Sequence, residues 1–299
     1  MSVNPTQDTA ITDSQLRDVL LEYRRENWEG IQPADVQERI VDDILQSDCN
    51  LLLQRIAPYL QLCSESTVLD IGSGVGSFVV GCRERDLLAF GIEPDRIGQG
   101  GRLTAIQIAS RRLGDQIFVA GLGERLPFAD ESFDLVTVNQ VIEHVADQPA
   151  VLREASRVVK GGGVVYIACP NYLRLYEPHY KIFWLPLMPK WLGRWYLRLR
   201  GRNPVMLDQL TYTTNGRLRA LLRGLGREYE IIDLHREEFL RKRVCDSFGS
   251  LRAKAASKIT WLPLVGPFFL HLVLLCVSVR EAGSEMIVIR KPAPKRSPC

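Results

Sequence analysis

Residues 67–77 read TVLDIGSGVGS. A β-branched and apolar run ends around Asp70, and Gly72, Gly74 and Gly76 follow at alternate positions. Glycines in a strand-to-helix turn let the backbone reach left-handed φ values and let a ligand approach without a Cβ in the way. A bare tight turn needs one glycine; three point to a ligand. The helix expected from about Ser77 adds N–H groups and a positive dipole end. The dinucleotide fingerprint G-x-G-x-x-G fits poorly, because the third glycine comes one residue early and Ser77 stands where it is expected. Asp70 would repel a pyrophosphate and suits a cation or an amino group. "FGIEPD" places Glu93 at the end of the next strand, 93 − 70 = 23 residues on. At that separation a doubly wound sheet presents a carboxylate to ribose hydroxyls.

Outward from this loop, short apolar runs alternate with amphipathic stretches. Strands are expected at 67–71, 87–93, 116–121, 133–139 and 162–170, with later ones at 228–236 and 284–292. Helices are expected at 14–28, 34–60, 148–160 and 216–225 from their apolar spacing. Strands separated by helices imply crossovers and a parallel sheet covered on both faces, and the unbroken Val/Ile/Leu runs fit such burial. The fold class read here is α/β: a doubly wound, mostly parallel seven-stranded sheet with helical insertions. The expected organisation is a helical cap over 1–60 and a main domain over 61–292. That domain is interrupted by a lid insertion at 171–215 and an apolar insertion at 237–283, and 293–299 forms a mobile tail.

Asp-x-Gly-x-Gly-x-Gly at 70–76, Glu93, "GERLPFADESFDLV" at 123–136 and "VIEHVADQPAVLREASRVVKGGGVVYIACPN" at 141–171 occur in that order. Together they resemble the class I S-adenosylmethionine-dependent methyltransferases, and most of all the subgroup containing the ubiquinone and menaquinone methyltransferases. The resemblance covers about residues 45–171. It implies S-adenosyl-L-methionine as cofactor and a Rossmann-like methyltransferase fold whose last strand, at 284–292, runs antiparallel. It implies that Asp70 and the backbone of Gly72, Ser73, Gly74 and Gly76 hold the methionine end, and that Glu93 holds the ribose. It implies that Leu122, Gly123 and Glu124 line the adenine, that Asn139 faces the methionine amino group and that Gln140 lies beside the transferred methyl. Some members carry Glu-x-x-Glu-His and a later His that bind a divalent metal. Here Gln140 stands at the first position, which leaves Glu143, His144 and His179 as a three-ligand set, and no metal is expected. His144 reads as a structural residue, a ligand or a base; His179, in "EPHYKIFW", reads as a base beside the acceptor. Glu143, His144 and His179 are the catalytic candidates. Phe183, Trp184, Trp191, Trp195 and Tyr196 read either as the wall of an acceptor pocket or as lid core.

The function implied is methyl transfer to an oxygen, or secondarily a carbon, of a small or lipid-linked acceptor. The alternative is a catalytically silent, membrane-associated protein that binds the same cofactor; a dehydrogenase ranks third. Seven scattered cysteines without a Cys-x-x-Cys pair point to a reducing, cytoplasmic compartment. The polar N-terminus has no leader-like apolar stretch. The net charge of +3 does not argue for nucleic acid, which is not an expected partner. Residues 259–279 carry no fixed charge, yet Pro263, Gly266 and Pro267 cut the run. A single crossing would also strand the 284–292 segment on the far side of the membrane from its sheet. Together with the Trp/Leu/Lys/Arg mixture at 185–202, this run reads as peripheral attachment to the cytoplasmic face of a membrane.

Overall fold

In the computed structural model the run at 67–71 is β1 (Thr67–Ile71), near the middle of a seven-stranded sheet. The structure describes residues 13–28, 30–45, 49–94, 104–114, 116–173, 175–226, 229–234 and 285–292. The expectations for 1–12, for the 237–283 insertion with its apolar run at 259–279, and for the 293–299 tail lie outside these residues. β2 (Leu88–Glu93) and β4 (Phe133–Asn139) flank β1 in parallel, and β3 (Phe118–Ala120) and β5 (Val159–Cys169) extend the sheet in parallel on either side. β9 (Glu285–Arg290) pairs antiparallel with both β5 and β8 (Glu230–Asp233). The order β3-β2-β1-β4-β5-β9-β8 is the mostly parallel sheet that the alternation predicts, with the antiparallel last strand that the resemblance implies. The strand order reverses between β1 and β4, so a crevice opens there at the carboxyl ends of the strands.

Both faces of the sheet are covered, which is why the strands are apolar without alternation. On one face Leu69, Ile71, Val136, Val138 and Ile167 pack under α6 (Gln148–Val158) and α9 (Asn215–Arg223). On the other, Val68, Leu135 and Val164 pack under α3 (Asn50–Ile56), α4 (Ser77–Arg83) and α5 (Ala105–Leu113). The helix starts follow from local chemistry. Thr104 and Gln107 form a reciprocal capping box on α5, and Asp147 accepts the Ala150 amide ahead of α6.

Two boundaries differ from expectation. The helix expected over 34–60 is two helices, α2 (Ala34–Leu45) and α3. Their apolar faces serve different partners: Val41 joins Leu16 and Leu20 of α1 (Asp13–Trp28) against Ile108, whereas Leu52 and Ile56 pack on the sheet. Pro58, just beyond the Ala57 cap, fits the end of α3. The helix expected to reach 160 stops at Val158, because Val159 is already extended and pairs with Phe133 across a register shift.

The lid insertion has its own small core. β6 (Tyr176–Glu177) and β7 (Ile182–Phe183) form a hairpin, followed by α7 (Lys190–Leu199) and α8 (Val205–Gln209). Tyr180, Ile182, Trp184, Leu197 and Leu207 bury one another together with Ile31 from the N-terminal segment. The aromatic residues therefore divide. Trp184 is core with Tyr196 edge-on to it at 6.1 Å, while Phe183, Trp191 and Trp195 are exposed rather than lining a pocket.

Gly76 holds the turn into α4 at φ +78°, and a Cβ there would lie 2.6 Å from Phe118 Cζ. Gly114 also has a positive φ (+98°), with nothing within 4 Å of the same position. Gly76→Ala is expected to lower unfolding stability by about 2–4 kcal/mol, a clash added to backbone strain, and Gly114→Ala by about 1 kcal/mol. Urea unfolding midpoints of the two variants check the order; equal losses would contradict it.

Candidate functional site

The glycine loop leaves β1 beside the end of β2. The amides of Gly72 and Ser73 both donate to the Ile92 carbonyl, at 2.8 and 3.1 Å, and the Gly76 amide donates to Ser73 O at 2.9 Å. The Gly74 amide donates to Glu93 Oε2 at 2.9 Å. These four amides are thus engaged within the protein. What the loop offers instead is room: Gly74 has φ +52° and nothing within 4 Å of where a Cβ would stand. The N-terminal helices close over the far side. Val75 packs with Leu16, Leu20 and Val41, and Arg112 of α5 holds the Val75 carbonyl at 2.9 Å.

Asp70 is buried, and its Oδ1 accepts from Thr137 Oγ1 at 2.5 Å across the β1–β4 pair. Burial pushes its carboxyl up to about 7; the Thr137 bond opposes this and the charge of Glu93 adds to it. A buried carboxylate of this kind favours a cationic ligand, which would restore its charge. Asn139 and Gln140 are exposed at the end of β4. Gln140 adopts φ +59°, uncommon for a residue with a Cβ, and its amide donates to Ala168 O at 2.7 Å. Leu122 is exposed after β3, and Gly123 is buried against Ile71, where a Cβ would come within 2.8 Å of Ile71 Cγ2. Glu124 Oε1 accepts from the Ala146 amide at 3.2 Å and so braces the loop after β4. The ends of β1, β2, β3 and β4 thus place Asp70, Glu93, Leu122, Asn139 and Gln140 along one edge of the sheet. The open space over Gly74, the buried acid and Glu93 at the neighbouring strand end fit a ligand that is part amino acid and part nucleoside.

The three catalytic candidates come together. Glu143, His144 and His179 each offer one ligand atom, and these lie within 4.8 Å of one another. His144 Nε2 and His179 Nε2 are 3.2 Å apart with the rings edge-to-face, and His144 Nε2 is 3.9 Å from Glu143 Oε1. Glu143 is fully buried and neither carboxylate oxygen has a hydrogen-bond partner. Burial raises its carboxyl to about 7; its own backbone amide and His179 oppose the rise, and Glu177 adds to it. The Glu143 carbonyl is fixed by the Thr211 amide at 2.7 Å.

Sequence reasoning missed Glu177. It is fully buried on β6, with Oε1 2.7 Å from His179 Nδ1 and Oε2 accepting the Tyr180 amide at 2.6 Å. The ring nitrogen facing Glu177 therefore carries the proton, and Nε2 is the basic atom turned toward His144. A carboxylate two residues before a histidine in a hairpin was the available signal. The backbone of His179 is held from the other end of the chain: Arg24 donates to Gln32 Oε1 at 2.9 Å, and Gln32 Nε2 donates to the His179 carbonyl. Tyr172 is buried near both acids, and its hydroxyl has no hydrogen-bond partner; burial pushes its ionisation far up, and Glu177 and Glu143 push it further.

Part of the chain is similar to known proteins. Residues 69–167, about a third of the chain, match the methyltransferase domain family. A probable S-adenosylmethionine-dependent methyltransferase of Mycobacterium tuberculosis is 32% identical over 123 residues, 40% of this chain and 40% of that protein. A demethylmenaquinone methyltransferase of a Roseiflexus species is 36% identical over 134 residues, 42% of this chain and 53% of that protein. The matched region thus spans between two fifths and about half the length of these relatives. A methyltransferase structure from Thermotoga maritima, described as a possible histamine N-methyltransferase, aligns at 21% identity over 72% of this chain and 83% of its own, with a TM-score of 0.43. The segment from Leu69 to Ile167 matches a methyltransferase domain and is similar in sequence to S-adenosylmethionine-dependent methyltransferases.

Proposed function

We propose that the protein transfers the methyl group of S-adenosylmethionine to a hydroxyl oxygen of a small or lipid-linked acceptor, with carbon as the secondary alternative. The observation that carries this reading is the histidine pair: His179, anchored on buried Glu177 between β6 and β7, meets His144 on the loop that follows Asn139 and Gln140. The bound cofactor supplies an electrophilic methyl on a sulfonium. The protein then has to bind, align and remove a proton. Asp70 and Glu93 are the acids placed for the cationic and ribose ends. The His144–His179 pair would take the hydroxyl proton as the oxygen accepts the methyl group, which S-adenosylmethionine held by Asp70 and Glu93 would supply from its sulfonium, leaving as the neutral thioether. Glu177 holds His179 in the tautomer that keeps Nε2 basic and stabilises the cation formed when it is protonated. His144, half-buried where His179 is buried, is the member nearer solvent.

One observation favours a second reading of the same site. The Glu143 carboxylate has two buried oxygens without partners beside two imidazoles, a donor set that suits a divalent cation able to lower the acceptor hydroxyl's pKa. The two readings separate in one experiment. Chelation followed by removal of the chelator leaves a metal-free base mechanism intact. In the metal reading chelation abolishes transfer, and Glu143→Gln loses bound metal by elemental analysis.

Radiolabelled methyl transfer into lipid and glycolipid extracts is the activity assay. His144→Ala and His179→Ala are each expected to lower turnover by about 100-fold or more. Glu177→Gln is expected to lower it less, because an amide oxygen can still accept from Nδ1 and hold the ring in place. Unchanged turnover of both histidine variants between about pH 6 and 9 would overturn the base assignment. Cofactor binding without transfer to any acceptor would instead support the catalytically silent protein.

Cofactor binding can be tested apart from transfer. Gly74→Ala is expected to fold and to weaken S-adenosylmethionine binding by about tenfold or more in a calorimetric titration, because a methyl fills the open space. In the cofactor-free protein the folded state holds the Asp70 proton more tightly than the unfolded chain does. Stability is therefore expected to fall as pH rises from about 4 toward about 7. Thermal melts of Asp70→Asn should show a shallower fall over that window, with the remaining slope coming from Glu143, whose carboxyl is raised in the same direction.

A further inference from the structure

We infer that the outer face of the 171–207 insertion docks on an anionic lipid surface. Ten of the thirteen large apolar side chains exposed among the described residues lie between Leu173 and Val205. On α7 they recur four apart at Trp191, Trp195 and Leu199, which are 66, 59 and 65% exposed. That spacing makes one stripe along the helix. The opposite stripe is already used: Gly193 and Leu197 are buried, and a Cβ at Gly193 would meet Trp184 and Leu207. The helix therefore has an inner apolar face packed on the insertion core and an outer one in water.

The hairpin carries exposed apolar side chains of its own. Tyr176 and Phe183 are register partners and both are exposed. The Trp184 amide bonds Leu175 O at 3.2 Å and the Leu187 amide bonds Tyr172 O at 2.9 Å, which lays exposed Leu185 and Leu187 alongside exposed Leu173 and Leu175. An apolar concentration of this kind on a water-facing surface marks an interaction site.

Charge selects the partner. Between 178 and 207 the chain carries six cations, Lys181, Lys190, Arg194, Arg198, Arg200 and Arg202, and no acid. Of the flanking acids, Glu177 is buried and Asp208 is paired with Arg194 at 2.7 Å. Exposed tryptophans with arginines beside them suit a bilayer interface, where the rings sit at headgroup level and the cations meet lipid phosphates. Each cation contributes about 1 kcal/mol near an anionic surface. A second copy of the chain, docking face to face, would set cations against cations. The uncharged 259–279 run could cover the apolar stripe but would leave the cations without anions. The inference does not depend on the acceptor proposed above, since a soluble acceptor leaves it intact. The hairpin that presents Phe183 also carries Glu177 and His179, so docking would bring the site's own segment to the lipid.

Flotation of the full chain tests the proposal, using vesicles of phosphatidylcholine alone or with about a third phosphatidylglycerol. The expected result is binding to the anionic vesicles that weakens as salt is raised and is weaker on phosphatidylcholine alone. Trp191→Ala/Trp195→Ala is expected to lower partition by about tenfold or more. Arg198→Glu/Arg200→Glu is expected to remove the preference for anionic lipid. These are exposed positions, so both variants should keep their melting temperature and their S-adenosylmethionine binding, and neither control depends on the acceptor. Wild-type protein that stays in solution with anionic vesicles overturns the proposal. So do variants that float like wild type, which assign binding to another segment such as 259–279. A dimer that the tryptophan variant converts to monomer would identify a second copy as occupant. Tighter binding to a single-stranded oligonucleotide than to vesicles would identify nucleic acid. Either would also overturn it.

Discussion

One carbonyl organises the site end of this protein. Ile92 O accepts the amides of Gly72 and Ser73 together, using both of its lone pairs, and thereby ties the end of β1 to the end of β2. Once these two amides are committed, the others in the turn follow: Gly74 turns to Glu93 and Gly76 back to Ser73. Buried backbone groups must be paired, and here the pairing fixes the path of the loop before any ligand arrives. Val141, from the loop after β4, packs so close to Gly72 that a Cβ there would overlap it. The same turn therefore sets the distance between the cofactor edge and the strand that leads to Glu143 and His144.

The histidine cluster is held by a different balance. Two fully buried carboxylates stand within reach of two imidazoles, and burying a carboxylate is costly unless it is paired. Glu177 is compensated by His179 and the Tyr180 amide. Glu143 keeps both oxygens without hydrogen-bond partners, and burial holds its carboxyl near neutrality. Folding has thus already met the desolvation cost of Glu143, and a guest that brings a proton or a positive charge recovers it. Under either reading of the site the asymmetry works in the same direction: Glu177 orients, while Glu143 waits for charge.

The parallel sheet, the glycine turn and the register of Glu93 were legible in the sequence because each rests on local spacing. The strand at 133–139 and the start of the helix at 148 follow from apolar runs and a capping aspartate with no tertiary information. The site's second half was legible only as a set of residues. His144 and His179 are 35 residues apart and meet because the hairpin folds back, and the hairpin is held by Gln32 from 147 residues away. No periodicity encodes that contact. The division of the aromatic residues did leave a trace. Ile182 and Trp184 point inward while Phe183 and Leu185 point outward, the period of two that a strand imposes. Reading the stretch by composition concealed it.

The charge distribution separates two tasks. The whole chain is +3, and the stretch from 178 to 207 alone is +6, so the remainder is 3 − 6 = −3. Around the crevice the ionisable groups are mainly acids: Asp70 and Glu93 at the sheet edge, Glu143 and Glu177 behind the histidines. A sulfonium-bearing cofactor and an external cationic face could be expected to oppose each other. The resolution lies in burial. Exposed arginines act through water, where salt limits their reach to about 8 Å, whereas buried carboxylates are screened far less and dominate the field in the crevice. The outer cations can therefore steer the protein toward an anionic surface without diminishing the attraction of the site for a positively charged cofactor.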